Sequence, residues 1–304
     1  MGSARRGYNP VITDGRRPRA DLEDAPSMIH LLSRLPAGAR VLDLGAAAGS
    51  FADVRPDICV VRLDLKFDVS GASGCLVRGD AARLPFADGV FDLLVSSHSL
   101  EHFVELEAVV REIARVARPG AGLYVAVPDA GTLTDRIYRW IGRGGGHVNP
   151  FRQPAEVIEL IERQTGLAHR ATRDLYSSLS FLNNHNVRGW GPKKLLLFAR
   201  GDEHFLAVLL WSLRTVDRVF GSGWSRYGWE FHFGAADPGE AREPWVNVCV
   251  RCGAGHSREY LREQASNWRK FGPVESYRCP ACDGFNLFSA EPVRASSGVP
   301  STLR

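Results

Sequence analysis

The chain has 304 residues, 44% hydrophobic and 24% charged, the balance of a globular protein large enough for a full core rather than a disordered or fibrous one. Thirty-eight basic against 34 acidic residues leave a net charge of +4, too little for the whole molecule to act as an electrostatic trap for nucleic acid. No apolar run is long enough to span a bilayer and no stretch reads as a signal peptide, so the expectation is a cytoplasmic protein.

Residues 1–24 read as a basic arm, with Arg5, Arg6, Arg16, Arg17 and Arg19 among glycines and prolines. A solvated tail and a grip on RNA or a membrane surface are both open readings. From Pro26 the pattern turns helical: Ile29, Leu32 and Leu35 recur at helix spacing, and Pro36-Ala37-Gly38 ends the segment. Val41-Leu42-Asp43-Leu44 then forms a short apolar run typical of a buried parallel strand. Gly45-Ala46-Ala47-Ala48-Gly49 follows, small enough for a nucleotide-like ligand to approach the backbone, although an ordinary tight turn would look the same.

A second strand, Cys59-Val60-Val61-Arg62-Leu63, ends in Asp64. A carboxylate about 20 residues past the glycine turn is where dinucleotide-type folds hold ribose hydroxyls; a loop acid or helix cap is the alternative. Asp80 closes another expected strand, and Leu93 to Val95 form the next, followed by Ser99-Leu100-Glu101-His102. A helix carrying Val109, Ile113 and Val116 on one face leads to the strand Leu123-Tyr124-Val125-Ala126-Val127, which stops at Pro128-Asp129.

In this order, these motifs resemble the class I S-adenosylmethionine-dependent methyltransferases, in particular the small-molecule and quinone-type group with Leu-Glu-His after the fourth strand. The resemblance runs from about residue 41 to 166. It implies a mostly parallel seven-stranded sheet with the cofactor over the strands' carboxyl ends. It also implies that Asp43, Gly45, Ala46, Ala47 and Gly49 hold the methionine part of the cofactor, and that Asp64, with Leu65 beside it, binds the ribose. Asp80 and the Ala81 backbone would meet the adenine amine, and Ser97 and His98 would lie near the sulfonium. The chemistry is coherent, because carboxylates suit a donor-rich, cationic ligand, whereas an acid at Asp43 would repel a pyrophosphate. Three departures stand out. Ala47 replaces the usual glycine, the spacing from Gly49 to Asp64 leaves a clipped first helix, and Ser70-Gly71-Ala72-Ser73-Gly74 leaves no room for a full second one.

Further on, Gly144-Gly145-Gly146 precedes His147, and a helix with Val157, Leu160 and Ile161 follows. His147 could act as a base or substrate contact, or simply pin the loop. Between residues 173 and 245, Asn183, Asn184, His185 and five tryptophans surround an expected helix from about residue 203 to 219, read as an acceptor lid or as lid core. Trp229-Glu230-Phe231-His232-Phe233 and Trp245-Val246-Asn247-Val248 read as a strand pair closing the sheet edge. Finally, Cys249-Val250-Arg251-Cys252 and Cys279-Pro280-Ala281-Cys282 are two knuckles whose four thiolates match the tetrahedral preference of structural zinc, in a module too small to fold without a staple. Neither opens a helix of a βαβ unit, which argues against redox chemistry.

The expected fold class is therefore α/β: a Rossmann-like seven-stranded methyltransferase sheet, an inserted aromatic-rich lid, and a small C-terminal zinc-ribbon-like module. The division is a basic arm (1–24), a cofactor-binding core (25–175), a lid with late strands (176–245), a four-cysteine module (246–290) and a tail (291–304). The expected activity is S-adenosylmethionine-dependent O- or C-methylation of a small-molecule, lipid-like or glycan-type acceptor, with His147 and His98 as candidate bases. Two other classes stay open. One is an RNA methyltransferase gripping nucleic acid with the zinc module, which the low charge disfavours; the other is a non-catalytic binding protein whose zinc module engages a protein partner.

Overall fold

The computed structural model describes residues 27–46, 55–66, 75–142, 146–183, 202–237, 245–251, 253, 255, 256, 261, 268–272, 274–280 and 282–288. The arm, the tail, Ala47, Gly49, Gly144, Gly145, His185 and Cys252 lie outside them.

Among the described residues, nine strands form one sheet: β1 (Arg40–Leu44), β2 (Cys59–Asp64), β3 (Cys75–Arg78), β4 (Phe91–Ser97), β5 (Ala117–Pro128), β6 (His169–Tyr176), β7 (Arg226–Gly234), β8 (Trp245–Val248) and β9 (Gly255–His256), in the order β3-β2-β1-β4-β5-β7-β6-β8-β9. Strands β3, β2, β1, β4 and β5 run parallel, and β7 is antiparallel to both of its neighbours. The expected seven-stranded α/β sheet is thus present, extended by two short strands.

The parallel strands are apolar on both sides because both faces are covered. Val41, Val60, Leu93 and Val95 pack with Leu31 and Leu32 of helix α1 (Ser27–Arg34). The alternate residues Leu42, Leu44 and Leu94 pack on the other face with α2 (Leu106–Val116) and α4 (Pro154–Thr165). Val109, Val110, Ile113 and Val116 of α2 are essentially buried, each contributing about 1.5–3 kcal/mol relative to exposure. Helix α4 starts with Pro154 at its first position and ends at Gly166 in the left-handed region, whose N–H returns to Glu162 O at 3.0 Å.

One sequence expectation needs correction, and two elements are additional to the expected set. Trp229–Phe233 and Trp245–Val248 do not pair with each other: β7 is inserted between β5 and β6, and β8 runs parallel to the far side of β6. Strand β6, which the sequence reading passed over, separates them. Helix α3 (Leu133–Gly142) was likewise not anticipated.

Helix α5 (Glu203–Phe220) begins at Asp202, whose carboxylate accepts the N–H groups of His204 and Phe205 at 2.8 and 3.2 Å. Its Leu206 and Leu210 pack on Leu179, Leu182 and Val250, and the buried Arg214 donates to Leu287 O at 3.2 Å. The helix is therefore joined to the C-terminal segment. There β10 (Trp268–Phe271), β11 (Val274–Arg278) and β12 (Phe285–Phe288) form an antiparallel sheet. Among the described residues no helix is long and apolar enough to cross a membrane.

Candidate functional site

Four adjacent parallel strands deliver the residues singled out in the sequence to one edge. Gly45 follows β1, Asp64 ends β2, Asp80 lies two residues beyond β3, and Ser97 ends β4. Short backbone bonds hold these ends together: the N–H groups of Gly45 and Ala46 donate to Leu63 O at 2.9 and 3.2 Å, and that of Gly79 to Asp64 O at 3.1 Å. Each terminal acid folds one carboxylate oxygen onto its own loop. Asp64 Oδ1 accepts from Lys66 N at 3.0 Å and Asp80 Oδ1 from Ala82 N at 2.9 Å. Leu65 is exposed, whereas Ala46 and Ala81 are buried. Asp43 differs from the other two acids: it is fully buried inside β1, and its Oδ2 lies 3.9 Å from Nε of the equally buried Arg62 on β2.

The turn after β1 is pinned from the side by Ser99, a residue to which the sequence pattern assigns no role. Its hydroxyl donates to Leu44 O at 2.9 Å and shares a 2.6 Å bond with Ser96 Oγ. Gly45 adopts φ +66°, and a Cβ there would meet Ser99 Cβ at 2.6 Å, so the position admits only glycine without rearrangement.

The sequence is similar to those of known proteins. A methyltransferase-domain family profile matches residues 42–125. A demethylmenaquinone methyltransferase of Mycobacterium marinum is 40% identical over 98 residues, 30% of this chain and 42% of that protein. An uncharacterized methyltransferase of Mycobacterium sp. (strain JLS) is 30% identical over 208 residues, 64% of this chain and 75% of its own length. The chain belongs to the class I S-adenosylmethionine-dependent methyltransferases. The YcgJ protein of Bacillus subtilis superposes with a TM-score of 0.44 at 18% identity, covering 68% of this chain and 95% of that one.

Beside the β4 end, the methyltransferase gathers a cluster of titratable side chains from three segments. His98 has φ +54°, and its N–H donates to Ala126 O at 2.8 Å. Its ring lies 5.1 Å from that of Tyr227, and its Nδ1 is buried with no hydrogen-bond partner among the described residues. Burial, helped by His147 and His102, lowers the His98 pKa to about 4. Glu101 and His102 sit on the single turn Leu100–His102; Glu101 is buried, which pushes its carboxyl up to about 8. His147 Nδ1 lies 3.1 Å from Asp135 Oδ1 of α3, and its ring stacks on Tyr138 at 5.1 Å. Asp135 is anchored in turn by Arg139 at 2.6 Å. Of these, sequence reasoning reached the two candidate histidines but missed Asp135 and Tyr138. The i, i+3, i+4 spacing of Asp135, Tyr138 and Arg139 was the available signal.

The second centre lies at the C-terminal segment. The sulfurs of Cys249, Cys279 and Cys282 come within 4.8 Å of one another, with Cys249 and Cys282 at 3.7 Å. Thiolates about 2.3 Å from a tetrahedral zinc are separated by about 3.8 Å, so these residues fit that ion. The surroundings supply donors to sulfur: Arg251 N and Asn286 Nδ2 each lie 3.4 Å from Cys249 Sγ, and His256 Nε2 lies 3.3 Å from Cys279 Sγ. His256 and Asn286 gave no sequence signal. Arg251 also ties the first knuckle to Glu203 of α5 at 2.5 Å and to Cys282 O at 3.0 Å.

Proposed function

We propose that the protein methylates a small-molecule or lipid-like acceptor, at oxygen or carbon, using the edge formed by the ends of β1 to β4 as the cofactor cradle. One observation carries the reading: Asp64, Asp80 and the Gly45 turn lie at the carboxyl ends of three neighbouring parallel strands, where open α/β sheets bind ligands. Asp64 accepts hydrogen bonds from the ribose hydroxyls and Asp80 from the adenine amine, with the Ala81 backbone beside it. Gly45 and Ala46, and Ala47 and Gly49 beyond the described residues, let the methionine part approach the chain. Asp43 acts from beneath, holding the turn through its buried contact with Arg62 rather than by reaching the ligand.

S-adenosylmethionine, when bound, supplies a methyl group on a sulfonium, transferred by in-line displacement. The protein's task is alignment, with proton removal added only for acceptors that must lose one. Ser97 and His98 stand at the β4 end that borders the reacting space. The lowered pKa keeps His98 neutral at physiological pH, and Asp135 fixes the ring orientation of His147. The four-cysteine segment, Cys252 included, would hold zinc as a closed structural staple that fixes α5 and β8 to the core. This reading keeps the division into arm, core, lid and zinc module as a proposal, and assigns the lid helix α5 to the module it packs against.

Titration calorimetry with S-adenosylhomocysteine tests the proposal. Micromolar binding to the full chain, weakened tenfold or more by Asp64→Ala, is expected. No measurable heat at millimolar ligand would refute it.

A further inference from the structure

We propose that Glu101, His102 and His147 form a site for a divalent first-row transition-metal ion, separate from the cysteine centre. One ligand atom from each of the three comes within 4.8 Å of the others. A metal with nitrogen and oxygen ligands at about 2.1 Å separates them by about 3.4 Å in a tetrahedron, so small side-chain rotations close the site. Two histidines and one carboxylate are a donor set that suits zinc, manganese, cobalt or iron rather than calcium.

The second layer fixes the ligands as such a site requires. His102 Nδ1 lies 3.0 Å from Gly146 O, and His147 Nδ1 lies 3.1 Å from Asp135 Oδ1. Both oxygens are acceptors, so each ring carries its proton on Nδ1 and keeps the Nε2 lone pair for a ligand. His102 Nε2 lies 3.9 Å from Glu101 Oε1. The other Glu101 oxygen, Oε2, is buried with no hydrogen-bond partner among the described residues, a cost to the ionised carboxylate that a bound cation offsets.

The scaffold around the cluster is bonded throughout. Glu101 O accepts from Val148 N and Asn149 N at 2.8 and 3.0 Å. The Asn149 side chain donates to Leu100 O and Phe103 O at 2.9 and 2.7 Å. Gly146, at φ +77°, turns its carbonyl onto His102. Solvent reaches the site from one side: the His102 side chain is 40% exposed, against 2% for Glu101 and 8% for His147. The remaining coordination positions therefore face outward, for water or an oxygen of the acceptor. That last assignment rests on the methyltransferase reading, whereas the ion site does not. His147 then serves as a ligand, leaving His98 as the candidate base.

The test is Mn²⁺ titration of the full chain loaded with a single equivalent of zinc, which the thiolates of the cysteine centre hold in preference to a histidine-carboxylate site, followed by the electron paramagnetic resonance signal of free Mn²⁺. Manganese is a hard ion that avoids thiolates. One equivalent bound, with affinity falling at least tenfold in Glu101→Gln, His147→Gln and His102→Gln, is expected. His102→Gln alters a half-exposed ring and so keeps the test open if the buried variants fail to fold. No uptake of Mn²⁺ or Co²⁺ at millimolar concentration, or uptake unchanged in His102→Gln and in whichever buried variants fold, overturns the site. S-adenosylhomocysteine binding measured on the same samples reports separately on the cofactor reading.

Discussion

Ser99 and Gly45 interlock across two loops: the serine hydroxyl holds Leu44 O at 2.9 Å, and its Cβ occupies the space a side chain at residue 45 would need. Gly45→Ala therefore combines a left-handed backbone penalty with a clash. The expected destabilisation is roughly 2–5 kcal/mol by urea unfolding, with S-adenosylhomocysteine affinity falling more than tenfold. Near-wild-type stability would show that the turn does not depend on this contact.

Asp64 sits half-buried at a strand end, so its removal alters binding more than folding. Asp64→Asn replaces a charged acceptor with a neutral one, and the lost interaction of about 1.5–3 kcal/mol predicts a 10- to 100-fold weaker cofactor. The unfolding midpoint should barely move. A large midpoint shift with unchanged affinity would assign Asp64 to structure instead.

Arg62 is the reverse case. Arg62→Met leaves the Asp43 charge buried without its counter-ion, and the expected loss of stability is about 3–5 kcal/mol. Replacing both residues by apolar ones of similar size should recover most of it. A double variant no better than the single one would contradict this.

His98 makes stability depend on pH. Its folded-state pKa, about 4, lies below the ordinary 6.5, so between those values the unfolded chain binds more protons than the folded one. Folding is therefore weakened as pH falls from about 6.5 towards 4, and the change is complete below 4. Urea titrations of the wild type and His98→Gln at pH 7.5 and 4.5 should differ in their acid sensitivity, the variant losing less. Equal acid sensitivity would exclude this histidine as the cause.

Cys279→Ser removes a thiolate from the C-terminal centre. Zinc measured by atomic absorption should fall from one equivalent to well below it, and thermal unfolding should begin earlier, in the segment holding β10 to β12. Stoichiometric zinc retained in a chain that also carries His102→Gln would mean that His256, 3.3 Å from Cys279 Sγ, substitutes as a ligand.

The parallel half of the sheet was legible because strands covered on both faces become unbroken apolar runs, as in Leu93-Leu94-Val95, and because their terminal acids fall at fixed places. Strand β6 was not. His169, Arg170, Arg173 and Asp174 interrupt its apolar pattern, and Arg173 is buried with Glu230 of the neighbouring β7 at 3.6 Å. Partner choice was equally hidden. Nothing in the local sequence of Trp229-Glu230-Phe231-His232-Phe233 says that it inserts between β5 and β6. The histidine cluster was half visible: His98 and His147 stand out as isolated residues, but the meeting of His147 with Glu101 and His102 depends on a turn, a loop and α3 converging from distant positions.

Strand β8 lies along the outer side of β6, and the sheet finishes on the two-residue strand β9. An edge so short offers few unpaired backbone groups for a second chain to zip onto. Stripping the cysteine segment of the zinc proposed for it is expected to uncover the eight-residue β6 behind it. The apo protein is therefore expected to self-associate, with light scattering rising as chelator is added and falling when monomer is restored by zinc.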